Sequence, residues 1–227
     1  MEGFNKVNGS VFPEMSLRIT NEGGDTIFKK EYAEVDSADG FNMSGRLLTI
    51  DYTIENPVHS NHKYTLHIKI QDKIGDGIFI TNTPFSVIAD ERISIEKKYI
   101  SYTEIYLFSA NRNRVITNGE IAFDELVYLV FEGLSGFYEK NGRVFPGSTV
   151  RAVDNLNAPV MYFDDLFKSY NTTGVNSGDF KQRIYVKMSF TGITAENPGH
   201  CEAIIFDKKR NDAYIKAATE LNVRQEI

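Results

Sequence analysis

The sequence has no tryptophan, one cysteine and six prolines among 227 residues. A single cysteine, Cys201, excludes an intramolecular disulfide. No apolar run approaches the roughly 20 residues that a membrane-spanning helix needs, so we predict no transmembrane segment. Basic residues are outnumbered by acidic ones, and the formal net charge is −6. This balance argues against a nucleic-acid partner, because phosphate recognition uses clustered Lys and Arg.

Aromatic content and alternating patterns predict a β protein. The chain holds 12 Tyr and 16 Phe, and aromatic residues are enriched in strands. Residues 48–54 and 184–190 alternate between apolar and polar types, which is the pattern of a strand with one buried face. The pairs Asn8-Gly9, Asp76-Gly77 and Asn141-Gly142 favour tight turns with positive φ.

An internal repeat organises the chain. Gly3–Pro13 aligns without a gap with Gly136–Pro146, at an offset of 133. Extended to Phe28 and Met161, the two blocks share eight identical pairs: Gly3/Gly136, Phe4/Phe137, Asn8/Asn141, Gly9/Gly142, Val11/Val144, Phe12/Phe145, Pro13/Pro146 and Arg18/Arg151. A predicted strand that ends in an Asp-Lys pair follows in each copy, at residues 66–73 and 201–208.

The repeat also decides between helix and strand near the end of copy two. Residues 212–221 favour a helix by propensity. Their counterpart, residues 77–85, contains Pro84 and β-branched residues, which favour a strand. Because equivalent positions of a repeat should share structure, we predict strands at residues 78–88 and at about residues 214–223.

We therefore predict an all-β protein of two tandem immunoglobulin-like antiparallel β-sandwich domains related by the repeat. Copy one spans residues 1–92 and copy two spans residues 93–227. Copy two contains predicted strands within residues 103–132 that have no counterpart before Met1. Three explanations stay open: the chain is truncated, which we favour; a strand from elsewhere or from a second chain completes copy one; or copy one is a smaller sandwich. Missing strands would leave exposed edges in copy one, through which a homodimer can form.

Aromatic residues beside polar groups suggest a binding surface in copy two. The candidate binding residues are Tyr138, Arg143, Tyr162, Asp164, Asp165 and Tyr170. Exposed rings next to polar side chains suit a glycan or a protein partner. The competing interpretation is that Phe163 and Phe167 close one end of the sandwich. We also predict one short helix near residues 164–170, with Asp164 as its N-cap.

Other chemistry finds little support in the sequence. His59, His62 and His67 have a spacing that can bind zinc, but copy two offers only His200, displaced by two positions. Cys201 lies in a strand pattern, and we expect a packed thiol. Neither a nucleophile elbow nor a phosphate-binding glycine loop occurs. We predict no metal site, no cofactor and no catalytic residue.

The repeated Gly-Phe…Asn-Gly-x-Val-Phe-Pro block and the later strand with its Asp-Lys turn carry a resemblance. This pattern resembles uncharacterised tandem β-sandwich proteins of the bacterial cell envelope. The resemblance implies an exported, often lipid-anchored protein in the periplasm or at the cell surface, and it supplies no catalytic residues. We expect a non-catalytic binding or structural module. The alternatives are a carbohydrate-binding protein that uses the copy-two aromatics, and an enzyme without a recognisable motif.

Overall fold

A computed structural model describes residues 3–32, 41–42, 58–188, 190 and 197–224. The chain divides into two compact units, Met1–Ala89 and Asp90–Ile227, which we call unit 1 and unit 2. Strands dominate both units, and the protein is all-β, as predicted. The strand expected within residues 48–54 lies outside the described residues.

Unit 1 is built around one four-stranded antiparallel sheet. Its strands are β1 (Ser10–Val11), β2 (Pro13–Asn21), β3 (Thr26–Tyr32), β4 (Phe41–Asn42), β5 (Lys63–Asp72) and β6 (Ile78–Ser86). The sheet order is β3-β2-β5-β6, and β1 pairs with β4. Alternation along β2 and β5 buries Met15, Leu17 and Ile70 on one face, where Phe4 and Phe28 pack against them.

Unit 2 contains a six-stranded and a four-stranded sheet. Its elements are β7 (Ser94–Lys98), β8 (Glu104–Ser109), β9 (Arg114–Val115), β10 (Glu120–Ala122), β11 (Val127–Glu132), β12 (Glu139–Lys140), β13 (Arg143–Val144), β14 (Pro146–Val153), β15 (Pro159–Phe163), a 3₁₀ turn (Lys168–Tyr170), β16 (Val175–Asn176), α1 (Ser177–Gln182), β17 (Arg183–Met188), β18 (Gly199–Asp207) and β19 (Tyr214–Arg224). The larger sheet runs β10-β19-β18-β14-β15, with β7 also paired to β19, and the smaller runs β17-β11-β8-β9. The strand predicted at about residues 214–223 is confirmed as β19. One pair, β10 with β19, is parallel rather than antiparallel.

The core of unit 2 joins the inner faces of these two sheets. Strand β18 alternates, so that Cys201, Ala203 and Ile205 are buried while their neighbours are not. Leu129 and Phe131 of the four-stranded sheet belong to the same buried cluster. Two sheets around one apolar layer give unit 2 a sandwich-like core.

The main sheets of the two units pair their strands in matching registers. Pro13 lies opposite Asp72 in unit 1, and Pro146 lies opposite Asp207 in unit 2. Irregular pairing occurs between Ile19 and Thr20 on β2, and between Ala152 and Val153 on β14. The irregular position on β14 lies 133 residues after the one on β2, which is the offset of the repeated sequence block. The two sheets therefore share register and bulge position.

A buried aspartate ends the second strand of each matched pair. Asp72 accepts hydrogen bonds from the amides of Asn5 at 2.6 Å and Ile74 at 3.1 Å. Asp207 accepts from the amides of Tyr138 at 2.5 Å and Lys209 at 2.8 Å. Each carboxylate thus links its Asp-Lys turn to the residue that follows the Gly-Phe pair of the same unit.

One short helical turn lies within the predicted residues 164–170, but the predicted N-cap was wrong. Residues 168–170 form only a 3₁₀ turn, and neither Asp164 nor any other side chain caps it. The α-helix is Ser177–Gln182, where the Asn176 side chain accepts from the amides of Gly178 at 2.8 Å and Asp179 at 3.1 Å. An Asn before a short polar segment is an N-cap signal, and burial of Phe180 holds the helix against the core.

The predicted positive φ is confirmed at Asn8-Gly9 and Asn141-Gly142 but not at Asp76-Gly77. Asn141 and Gly142 both have positive φ, and so do Asn8 and Gly9. At Gly77 the backbone is not left-handed. A Cβ there would lie 2.3 Å from the carbonyl oxygen of Gly3, so close approach of two backbones, rather than φ, requires the glycine.

Candidate functional site

The predicted binding residues do not form one cluster of mutual contacts. Tyr138 is 47% exposed, Tyr162 61% and Tyr170 46%. Tyr162 donates its hydroxyl to Asp164 at 3.3 Å, and this is the direct side-chain contact among the predicted set. Arg143 instead donates to the carbonyl oxygen of Gly174 at 3.2 Å. The three tyrosines are therefore exposed, while Tyr162 and Arg143 contact different neighbours.

Asp165 is a structural residue that anchors the loop after β15. Its Oδ1 accepts from the amides of Ser148 at 3.2 Å and Phe167 at 2.9 Å, and its Oδ2 lies 2.6 Å from Lys208 Nζ. Although burial alone would raise the pKa of Asp165, hydrogen bonds from Lys208 and these amides hold that pKa below its usual value. Lys208 also contacts Asn171. A carboxylate so fully engaged has little capacity left for a ligand.

The two phenylalanines of this loop have different environments. Phe167 packs against the core of unit 2, with its ring 5.9 Å from that of Phe180. Phe163 is 48% exposed at the end of β15. Closing the sandwich therefore accounts for Phe167 but leaves half of Phe163 in contact with solvent.

The three histidines of unit 1 are engaged in different contacts. The rings of His59 and His62 lie 6.2 Å apart. The ring nitrogens of His67 instead contact Thr20 at 3.0 Å and Asn82 at 2.7 Å. Within the part of the chain that the structure describes, no group of three or more His, Cys, Asp or Glu residues is placed to hold a metal ion.

The outer face of the six-stranded sheet carries a polar row that the sequence did not reveal. Directly opposed residues of neighbouring strands project on the same face. From β15 across to β7, one such row is Tyr162, Arg151, Glu202, Ala218 and Ser94. The predicted Tyr162 is therefore next to Arg151 on the adjacent strand, a distance of about 4.8 Å between strands.

A second row lies beside the first, and together they form a groove. Val153, His200 and Glu220 are opposed across β14, β18 and β19. The groove has a volume of about 710 Å³, and Arg92, Arg151, His200, Glu202 and Glu220 are among the residues that line it. This volume is within the range of small-molecule sites. Ala218, at its centre, leaves the floor open.

The charges of the groove are only partly neutralised by protein partners. Glu202 lies 2.5 Å from Lys216, and Glu220 lies 3.4 Å from the ring of His200. The Arg151 side chain is exposed and makes no hydrogen bond or ion pair with any residue that the structure describes. A guanidinium so placed offers a fork of N–H donors to a ligand.

Arg92 also lines the groove, but its guanidinium is engaged within the protein. Its Nε donates to Asp90 at 2.8 Å and its Nη2 donates to the carbonyl oxygen of Ile116 at 3.2 Å. Its Nη1 is buried and has no partner among the described residues, and it lies against Gly119, another residue of the groove wall. An unmatched buried donor costs free energy, so this nitrogen is a local cost within the protein rather than a free donor.

Cys201 is a packed thiol, as predicted. Its side chain is 2% exposed in the core, and burial raises the pKa of the thiol to about 12. At neutral pH it stays protonated, so it does not act as a nucleophile.

Of the groove residues, only Arg151 had a signal in the sequence, because it is identical to Arg18 at the repeat offset. His200, Glu202 and Glu220 come together through strand pairing that spans distant parts of the chain.

In the described part of the chain, no helix is long and apolar enough to cross a membrane. Comparison with protein-family models and with curated proteins finds no match to this chain.

Proposed function

We propose that this protein is a non-catalytic binding module, and that the groove on the outer face of unit 2 holds a saccharide. The observation that carries the proposal is the row of Tyr162, Arg151 and Glu202, in which the Arg151 side chain has no partner among the described residues. The floor of the groove is formed by β14, β18 and β19, so the side chains of Arg151, Glu202 and Glu220 are held on regular strands.

A saccharide fits the chemistry of this lining. Sugar hydroxyls both donate and accept hydrogen bonds, and the groove offers donors from Arg151 and acceptors from Glu202 and Glu220. Tyr162 does not line the groove but lies beside it, opposite Arg151. Its ring is 61% exposed and offers an apolar surface beside a polar hydroxyl, the combination that suits a sugar ring.

The duplicated immunoglobulin-like scaffold and the cell-envelope location belong to the same proposal. Matching registers, bulges and aspartate turns in the two units support the internal repeat, which stays a prediction. The location in the periplasm or at the cell surface rests on the resemblance of the Gly-Phe…Phe-Pro block. Detection of the protein in periplasmic or surface fractions, rather than in the cytosol, tests it.

A glycan array followed by calorimetry tests the binding site. We expect the native chain to retain a glycan, and Arg151→Ala and Tyr162→Ala each to weaken binding by about tenfold or more, the loss of roughly 1.4 kcal/mol or more. Arg18→Ala is the matched control for arginine, because Arg18 occupies the corresponding exposed position of unit 1. Tyr185→Ala is the control for tyrosine, because Tyr185 is 51% exposed on the other sheet of unit 2.

Retention of no glycan by the native chain would refute saccharide binding. Equal losses of glycan affinity in the groove variants and in the controls would show that the glycan binds elsewhere on the protein. Turnover of a bound glycan would favour the alternative of an enzyme, with Glu202 and Glu220 as the carboxylates to substitute next.

A second candidate function is self-association through unit 1. It is favoured by the exposure of Ile78 and Ile80 on the terminal strand β6, at 60% and 63%. Edge strands with exposed apolar residues are templates for pairing with another chain.

A further inference from the structure

Among the described residues, strand β6 has fewer neighbouring strands than its counterpart in unit 2. Among strands formed by the described residues, β6 pairs only with β5. Its counterpart β19 also pairs with β7, antiparallel, over Tyr214–Ala218. Subtracting the offset of 136 that relates β19 to β6 places the corresponding stretch at residues 78–82. The uncovered stretch of β6 thus matches the stretch of β19 that accepts a strand.

The hydrogen-bond pattern shows which backbone groups of β6 point away from β5. Gly77 accepts from the amide of Asp72 at 2.8 Å, and Val87 donates to the carbonyl of His62 at 3.0 Å. In an antiparallel pair, alternate residues face the neighbour, so odd-numbered residues of β6 bond to β5. The amides and carbonyls of Ile78, Ile80 and Asn82 therefore point to the open edge.

The edge has no device that repels another strand over this stretch. Strand β6, Ile78–Ser86, contains no charged side chain. Natural edges are commonly protected by lysine, proline or bulges. The backbone nitrogen of Pro84 faces the open edge, like that of Ile80, but it carries no hydrogen. Pro84 therefore limits pairing to the stretch before it.

We propose that two copies of this protein pair through β6, antiparallel, about a two-fold axis at Ile80. This inference rests on the self-association proposed above and gives it a register. Ile80 then lies opposite the second copy's Ile80, and Ile78 lies opposite the second copy's Asn82. All the outward backbone groups of residues 78–82 find partners in this register, because the edge-facing residues of both strands coincide.

A second copy is the occupant favoured by the side chains. An uncharged strand is complementary to itself, whereas a charged one is not. On the inner face, Phe79 is 50% exposed and lies opposite Ile70, which is buried. Pairing places Phe79 beside the second copy's Thr81 and extends the apolar layer around Ile70.

Sedimentation analysis of charge variants tests this register. We expect the native chain to form dimers, and Ile80→Lys and Ile80→Glu each to raise the dimer Kd by about tenfold or more, because like charges lie directly opposite. An equimolar mixture of the two variants should recover the dimer through a Lys–Glu pair. Ile88→Lys is the control, since Ile88 is 78% exposed but lies beyond the end of β6.

Ile78→Pro provides a variant with no added charge. It removes an outward amide while keeping the bonds to β5, and should also weaken the dimer. A monomeric native chain at its highest soluble concentration, or a dimer that Ile80→Lys leaves intact, overturns the inference. Failure of the Lys and Glu variants to recover the dimer when mixed overturns the register. Glycan binding by the Ile80→Lys variant is measured as well. If this variant is monomeric and still retains the glycan, loss of the dimer is separate from loss of saccharide binding.

Discussion

Replacement of Asp207 by alanine removes a carboxylate that holds two segments of unit 2 together. Asp207 is 2% exposed and accepts from the amides of Tyr138 and Lys209. Hydrogen bonds to a charged group contribute about 1.5–3 kcal/mol each. Because water can reach these partly buried amides in the variant, we take the lower end for both bonds and expect a loss of about 3 kcal/mol in the free energy of unfolding of unit 2.

The only cysteine of the chain makes this measurement specific to unit 2. Cys201 lies in the core of unit 2, and its thiol reacts only when that core opens. Urea unfolding followed by the rate of Cys201 labelling therefore reports the stability of this unit, while tryptophan fluorescence is excluded because the chain has no tryptophan. A change in urea midpoint at constant m value gives the difference in stability.

Two variants control the experiment. Asp207→Asn keeps the size of the side chain but offers only one oxygen acceptor, so we expect it to lose less stability than Asp207→Ala. Asp212→Ala removes an exposed aspartate from the same turn, and we expect a much smaller shift, because its ion pair with Lys98 is open to solvent. An Asp207→Ala variant as stable as Asp212→Ala would refute the role given to the buried carboxylate.

Two further outcomes follow from buried groups of unit 2. Although burial alone would raise the pKa of Glu125, hydrogen bonds from Ser109, the Ala122 amide and Arg112 lower it, so its contribution to stability is complete above pH 4.5 and is lost as pH falls through the lowered value. Glu125→Gln should therefore show a flatter fall in urea midpoint on acidification than the native chain, and an equal slope would contradict this. The Cys201 thiol, with its pKa raised to about 12, should resist alkylation in the native protein at pH 8, as measured by mass spectrometry, and rapid native labelling would contradict its burial.

Much of the strand content was predictable, because alternation and turn residues act over short stretches of chain. The strand at β19 was the informative case, since helix propensity at Ala217 and Ala218 pointed the other way. The buried alternation of Ile215, Ala217 and Leu221 in a sheet with β18 and β7 outweighs that propensity. Propensity also failed at Ser177–Gln182, where a capping Asn and one buried Phe suffice for a helix.

The candidate site was predicted less well than the fold. Tyr162 was selected for its chemistry, and its exposure was correctly anticipated. Asp165 was selected with it, but its ion pair with Lys208 serves the loop. His200, Glu202 and Glu220 were not selected at all, because isolated titratable residues on a strand have no pattern that separates a binding face from an ordinary solvated face.

The sequence by itself determined the strands, the buried thiol and the recurring Asp-Lys turns, because these depend on side-chain alternation and local backbone preferences. Tertiary structure alone decided which residues are neighbours across the sheet. Strand order and register bring Tyr162, Arg151 and Glu202 into one row, and they give β19 a partner strand that β6 lacks. For β6 this comparison covers only strands formed by the described residues. Strand pairings are made between residues far apart in the chain, and no local pattern records them.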